Sequence, residues 1–287
     1  SSQDIVIDAY RPEVLQKQEY GVGAGVFTLG YRMAMIVSGA VALMMADHYT
    51  WRTVYLTMAA LLSVGVFCSF FAPEPKLEKP PPRTLKEAVV EPFFAFFKRK
   101  GAFEMLAFII IYKLDVVITL ALSTAFFLHL GFTKTEIGAV TKLFGMIAAI
   151  IGTLAGGAFI VRAGIKRSLW FFGIAQGLAT LSFIVLASSE KSLPLMTVAI
   201  TAENFFSGMG NAAFLTFLMS IIDKRYTATQ YALLSSLTAV SRTFIGAPTG
   251  WIAKTLGWEI YFVISMLAAI PGLLLLTRYS KWDAEQS

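Results

Sequence analysis

Apolar runs about 20 residues long recur through this chain, and that is the length an α-helix needs to cross the hydrocarbon of a bilayer. Nothing else in the sequence constrains the fold as much. With no water to satisfy it, backbone inside lipid must close its own hydrogen bonds, so a chain made of such runs folds as a bundle of spanning helices. The composition agrees: the 287 residues are 56% hydrophobic and 15% charged, with mean hydropathy +0.68, against about 45–50% and 25% in soluble domains. A net charge of +6 would suit nucleic acid, but basic residues collect in the cytoplasmic loops of membrane proteins, so lipid is the expected partner and nucleic acid is not. The single cysteine, Cys68, lies in an apolar run and excludes a disulfide framework or a cysteine metal site.

Hydropathy places spans at roughly 22–46, 53–72, 105–128, 137–161, 168–187, 194–221, 231–253 and 260–277. Short polar turns join them, except for a Pro-rich connection over 73–100 that ends in Lys98, Arg99 and Lys100. The chain starts at Ser1 without Met, and residues 1–10 read as the end of a helix already under way, as in a fragment whose N-terminal part is missing. Lys and Arg in the connecting segments divide 16 to 4 in favour of the side carrying the long connection and the C-terminus. That side is expected to be cytoplasmic and the chain to be a multi-pass protein of a bacterial inner membrane. Glycine pairs such as Gly152–Gly156 and Gly246–Gly250 mark close helix packing, and Pro248 and Pro271 mark bends.

Six charges sit inside the apolar runs: Arg32, Lys113, Asp115, Lys142, Glu203 and Arg242. Each costs at least a few kcal/mol in hydrocarbon, so such residues face a polar cavity or one another. This points to a transporter. Asp4 and Asp8 lie four residues apart on one helix face. In a low-dielectric cavity they cannot both ionise cheaply, which makes a proton site; Asp8 paired to Arg11 at a helix end is the structural alternative. Asp4 and Glu203 lead as proton or charge-relay residues, with Asp115 and Asp8 behind them. Arg32 and Arg242 offer fixed planar cations to carboxylates, and Arg242 suits Glu203 as a partner. Lys113 and Lys142 are further cations with a snorkelling alternative. Lys113 and Asp115, two positions apart on a helix, are expected to point to different faces. Gln3 and Asn204 supply amides, and Tyr31 and Tyr112 supply rings for a sugar. Ser207 reads as an ordinary packing residue. His48 and His129 fall in turns and form no catalytic set, so neither an enzyme nor a metal site is expected.

The stretch Ser2-Gln3-Asp4-Ile5-Val6-Ile7-Asp8-Ala9-Tyr10-Arg11 resembles the AmpG-type muropeptide permeases, a branch of the major facilitator superfamily. So do residues 225–237, from Arg225-Tyr226-Thr227-Ala228 through Ser235-Ser236-Leu237, and their continuation through Arg242 to Trp251. Six spans, a basic loop and six more is the plan of that superfamily. The resemblance implies an all-α, polytopic transmembrane helix bundle lacking about its first three helices. Residues 1–72 would be the rest of the N-terminal bundle, 73–104 the cytoplasmic loop and 105–287 the C-terminal six-helix bundle. It further implies a monomeric permease that imports anhydro-muropeptides for peptidoglycan recycling and β-lactamase induction. No cofactor but the proton gradient is implied. The acetyl-CoA transporters share a similar Gln-Asp stretch and are the alternative. Residues 157–167 depart from the superfamily's loop motif, with Val161 where an Asp normally stands.

Overall fold

The computed structural model describes residues 2–75, 84, 86–223, 226–240, 243, 244 and 246–283; for residues 2–5, 40, 43, 88, 89, 246, 247, 281 and 283 it describes the backbone alone. Arg242 therefore lies outside the described residues, as do Lys76, Lys79, Arg83, Lys224, Arg225 and the side chains of Gln3, Asp4 and Lys281.

The long elements are helices, as the apolar runs require. In order they are α1 (Ser2–Val14), α2 (Lys17–His48), α3 (Trp51–Phe71), a short α4 (Glu91–Phe97), α5 (Ala102–His129), α6 (Lys134–Ala163), α7 (Ile165–Ala187), α8 (Leu193–Ser220), α9 (Thr227–Val240), α10 (Gly246–Leu267), α11 (Ala269–Leu276) and α12 (Tyr279–Asp283). Polar caps start several of them. Thr50 Oγ1 accepts from Thr53 N at the head of α3, and Thr133 with Glu136 forms a capping box at the head of α6. The break between α10 and α11 falls at Ala268, three residues before Pro271, whose ring clashes with the carbonyl one turn back.

Two tight reversals show how the second half is built. Gly164, at φ 81° and ψ 163°, turns α6 back into α7, and Gly257, at φ 84° and ψ 168°, divides α10 into two arms. Only glycine occupies that backbone region readily. Trp258 follows the second reversal and packs on Phe126 and His129 at the far end of α5. The first reversal lies at the other end of the bundle, where Ile165 packs on the core that contains Phe96. The helix triple starting at α5 and the triple starting at α8 thus use the same one-residue turn between their second and third crossings, at opposite ends of the bundle. Such inverted three-helix repeats are a transporter design.

The loop side is tied together by several contacts. Tyr10 Oη donates to the Pro73 carbonyl at 2.8 Å, Gln230 Nε2 donates to the Pro92 carbonyl at 3.3 Å, and Trp282 Nε1 donates to Glu104 Oε2 at 3.1 Å. Arg99 donates to the Ile221 carbonyl and lies 4.0 Å from Asp223. On the far side Lys191 and Glu136 pair at 3.0 Å.

The two halves meet where side chains are smallest. α2 crosses α6 with Gly21 against Gly157; a Cβ on Gly157 would stand 2.6 Å from the Gly21 carbonyl oxygen. Gly152, Gly156 and Gly208 bring α6 equally close to α8, the close approach that small residues allow in membranes. α3 exposes nearly its whole apolar surface.

The abundant phenylalanines form two aromatic cores. One, on the loop side, contains Phe96, Phe108, Phe172, Phe217 and Trp282. The other, on the far side, contains Phe126, Phe127, Phe183, Tyr261 and Phe262. Between them, at mid-depth, runs a layer of buried polar residues.

Candidate functional site

That polar layer is built by α5, α7 and α8, and a break in α5 makes it. The helix stops at Ile111 and restarts at Leu114, with Lys113 at φ −108° and ψ 17°. Just past the break, hydroxyls from α10 hold the next turns of α5: Ser265 Oγ donates to the Asp115 carbonyl at 2.8 Å, and Tyr261 Oη donates to the Ile118 carbonyl. In a regular helix Lys113 and Asp115 would point about 200° apart, as the sequence reading expects. The break corrects this, because both residues line one crevice with Tyr112, Gln176, Ser207 and Gly210. The cavity holds ≈ 20 Å³, room for one water-sized body.

Asp115 is 2% exposed and Glu203 is fully buried. Gln176 Nε2 donates to Glu203 Oε1 at 2.7 Å, and Lys113 Nζ donates to Asn211 Oδ1 at 2.6 Å while lying 4.9 Å above the Phe214 ring. Lys113 is held inward and does not snorkel. Glu203, Ser207 and Asn211 stand four residues apart on α8, so one stripe of that helix carries a carboxyl, a hydroxyl and an amide. Gln176 and Asn211 are the residues the sequence reading missed. The signal was there in the polar stripe on α8 and in a lone amide at the centre of α7. Ser207, read as plain packing, also lines the crevice.

The other candidates are placed as follows. Tyr112 is buried, donates its hydroxyl to the Leu169 carbonyl at 2.9 Å and stacks on Phe214 at 6.0 Å. Asn204 Nδ2 donates to the Ile200 carbonyl of its own helix, facing α6 at Gly145. Tyr31 is exposed and Arg32 half-buried on α2, and Lys142 is exposed in the widened turn Val140–Gly145; none of the three lines the crevice. The backbone of α1 is helical through both Asp4 and Asp8. Among the described residues no cluster of three or more His, Cys, Asp or Glu side chains is arranged to hold a metal ion.

A second polar centre joins the halves on the loop side. Arg11 of α1 is 8% exposed and pairs with Asp8. It donates to Tyr231 Oη of α9 at 3.0 Å, and its guanidinium lies 3.7 Å above the Phe27 ring. Those contacts recover by cation–π attraction part of what burying an arginine costs.

Comparison with known proteins converges with this architecture. The profile of the Major Facilitator Superfamily matches residues 1–247. The chain is 42% identical over 278 residues to the anhydromuropeptide permease of Escherichia coli K12, covering 96% of this chain and 57% of that protein. It thus spans somewhat more than half the length of that relative. It is 31% identical over 288 residues to "Putative transporter AmpG 4" of Rickettsia felis, covering 98% of this chain and 70% of that protein. The repeat geometry, the mid-depth polar layer and these matches together establish that the chain belongs to the major facilitator superfamily, within its AmpG group.

Proposed function

We propose that the protein is a secondary transporter that carries anhydro-muropeptides from periplasm to cytoplasm, driven by the proton gradient, in peptidoglycan recycling and β-lactamase induction. The observation that supports this reading is the 42% identity to an anhydromuropeptide permease over 96% of the chain. The polar layer suits the task. A muropeptide carries carboxylates and amides: Lys113 is the cation of this layer, and outside it Arg32, Lys142 and Arg242 are the further cation candidates and Gln3 and Asn204 the amide candidates. Tyr31 and Tyr112 are the sugar-facing candidates. Asp4, Asp8, Asp115 and Glu203 are the proton-handling carboxyls. The charge asymmetry of the connecting segments supports a cytoplasmic long loop and C-terminus in an inner membrane, and the proposed carrier is a monomer.

The reading is tested in cells that lack a muropeptide permease of their own and express the protein as its gene encodes it. Labelled disaccharide–tetrapeptide should enter, and an uncoupler should stop its accumulation. Excess unlabelled acetyl-CoA should leave entry unchanged; if acetyl-CoA abolishes it, the substrate assignment fails. Single cysteines placed after Lys86 and after Lys281 should resist an impermeant thiol reagent in intact cells. Labelling of either from outside would reverse the topology.

A further inference from the structure

The short helix α4, at the end of the long connection, is apolar on two faces, and the described residues cover only one of them. Pro92 and Phe96 are buried, and Phe96 belongs to the loop-side aromatic core. Gln230 Nε2 of α9 donates to the Pro92 carbonyl, Tyr226 Oη donates to Glu91 Oε2 at 3.5 Å, and Arg99, just past the helix, donates to the Ile221 carbonyl. These contacts seat α4 against the loop-side ends of α8 and α9. Val90, Phe94 and Phe97, spaced i, i+4 and i+7, share its other face and are 42%, 64% and 39% exposed. An exposed apolar patch of this kind marks a surface that meets a partner or a membrane.

Two observations identify the cover. The first is continuity. The Phe97 ring meets the Phe103 ring at 5.4 Å, and Phe103, 73% exposed, stands on the first turn of the membrane-spanning α5. Only the turn over 98–101 separates the two helices, closed by Gly101 at φ 80°. The uncovered face of α4 therefore runs into the exposed surface of a spanning helix, at the end where that helix enters the bilayer. A soluble partner would have to reach down to Phe103, where lipid already lies. The second observation is charge. Lys86 and Lys98 are exposed at the two ends of the apolar face. Residues 86–100 carry four cations against two carboxylates, and one of those two, Glu91, faces Tyr226. An apolar helix face flanked by lysines suits the headgroup layer of a membrane, with each lysine stem on apolar surface and its ammonium at a phosphate.

We propose that α4 lies in the loop-side headgroup layer of the bilayer that the protein spans and binds anionic phospholipid there. Phe94, Phe97 and Phe103 sit at the acyl boundary, and Lys86 and Lys98 meet lipid phosphate. The inner face of α4 stays on the aromatic core, so the helix ties the loop-side ends of α8 and α9 to the membrane surface.

The test uses the protein as its gene encodes it, with Cys68 and any further cysteine replaced by serine. It is placed in nanodiscs of phosphatidylcholine, alone or mixed equally with phosphatidylglycerol. A spin label on Phe94→Cys should collide with oxygen in preference to an aqueous nickel chelate in the mixed discs, and that preference should shrink in phosphatidylcholine alone. A label that favours the nickel chelate in both lipids overturns the proposal. So does a label shielded from both reagents, the signature of a protein neighbour such as a second copy, and so does a label equally deep in both lipids. A second measurement leaves the aromatic face intact. The affinity for short-chain phosphatidylglycerol, titrated into the detergent-purified protein, should fall at least about fivefold when Lys86→Gln and Lys98→Gln are combined, since one lysine near an anionic surface is worth about that factor. Unchanged affinity in this surface variant would overturn the lipid assignment. No muropeptide is present in either measurement, so both outcomes are independent of the transport reading.

Discussion

Glu203→Gln is expected to abolish concentrative uptake while leaving exchange of substrate down its own gradient. The substitution keeps the size of the side chain and its bond with Gln176, so the protein should insert and fold. What it removes is the ability to gain and release a proton in the middle of the membrane. Each charge moved through 100 mV is worth about 2.3 kcal/mol, which is about 50-fold in accumulation. A carrier that has lost its coupling carboxyl loses that whole factor. Asp115→Asn should act in the same direction, since both carboxyls belong to one polar layer. Accumulation ratios measured in energised vesicles, with exchange measured alongside, separate coupling from binding. If both variants still concentrate substrate, the two carboxyls are structural and coupling lies elsewhere.

Removing Arg11 should have a comparably large effect, of a different kind. Arg11 is a point where the halves touch on the loop side, through Tyr231 of α9, Asp8 of its own helix and the Phe27 ring. A hydrogen bond to a charged group contributes about 1.5–3 kcal/mol and a desolvated cation–π contact up to about 2 kcal/mol. Arg11→Ala should therefore shift the balance toward a state open on the loop side by about a hundredfold, since every 1.4 kcal/mol is tenfold. Spin labels on the loop-side ends of α1 and α9 should report a longer separation in the variant. Tyr231→Phe, which keeps the ring and loses the hydroxyl, should give a smaller shift. An unchanged distance distribution in Arg11→Ala would show that this contact does not hold the loop side closed.

Much of the fold was legible because lipid simplifies the code. Backbone hydrogen bonding forces each long apolar run into a helix. Glycine spacing marked the α6 crossing, and the turn expected over 254–259 is realised as the Gly257 reversal. The break in α5 was not legible. Tyr112-Lys113 carries no proline or glycine to mark it, and the hydroxyl contacts that hold the helix beyond it come from α10, about 150 residues later. Local sequence cannot encode a partner that far away. This is why Lys113 and Asp115 read as facing apart and are found in one crevice. Glu203 was legible from its depth alone, whereas its partner was not. An amide with no net charge, such as Gln176, barely disturbs the hydropathy of its span. Arg11 read as a helix-end partner for Asp8, and that pairing is present. Its contact with Tyr231 spans 220 residues and belongs to tertiary structure alone.

Muropeptide transport powered through the mid-membrane carboxyls is tested most directly in proteoliposomes. The protein as its gene encodes it is reconstituted, and an inward proton gradient is imposed with labelled anhydro-disaccharide–tetrapeptide outside. Transient accumulation above the external concentration is expected in the wild type, with collapse of that accumulation on adding an uncoupler and equilibration without accumulation in Glu203→Gln. Entry that ignores the gradient, or a Glu203→Gln variant that accumulates substrate as the wild type does, would contradict it.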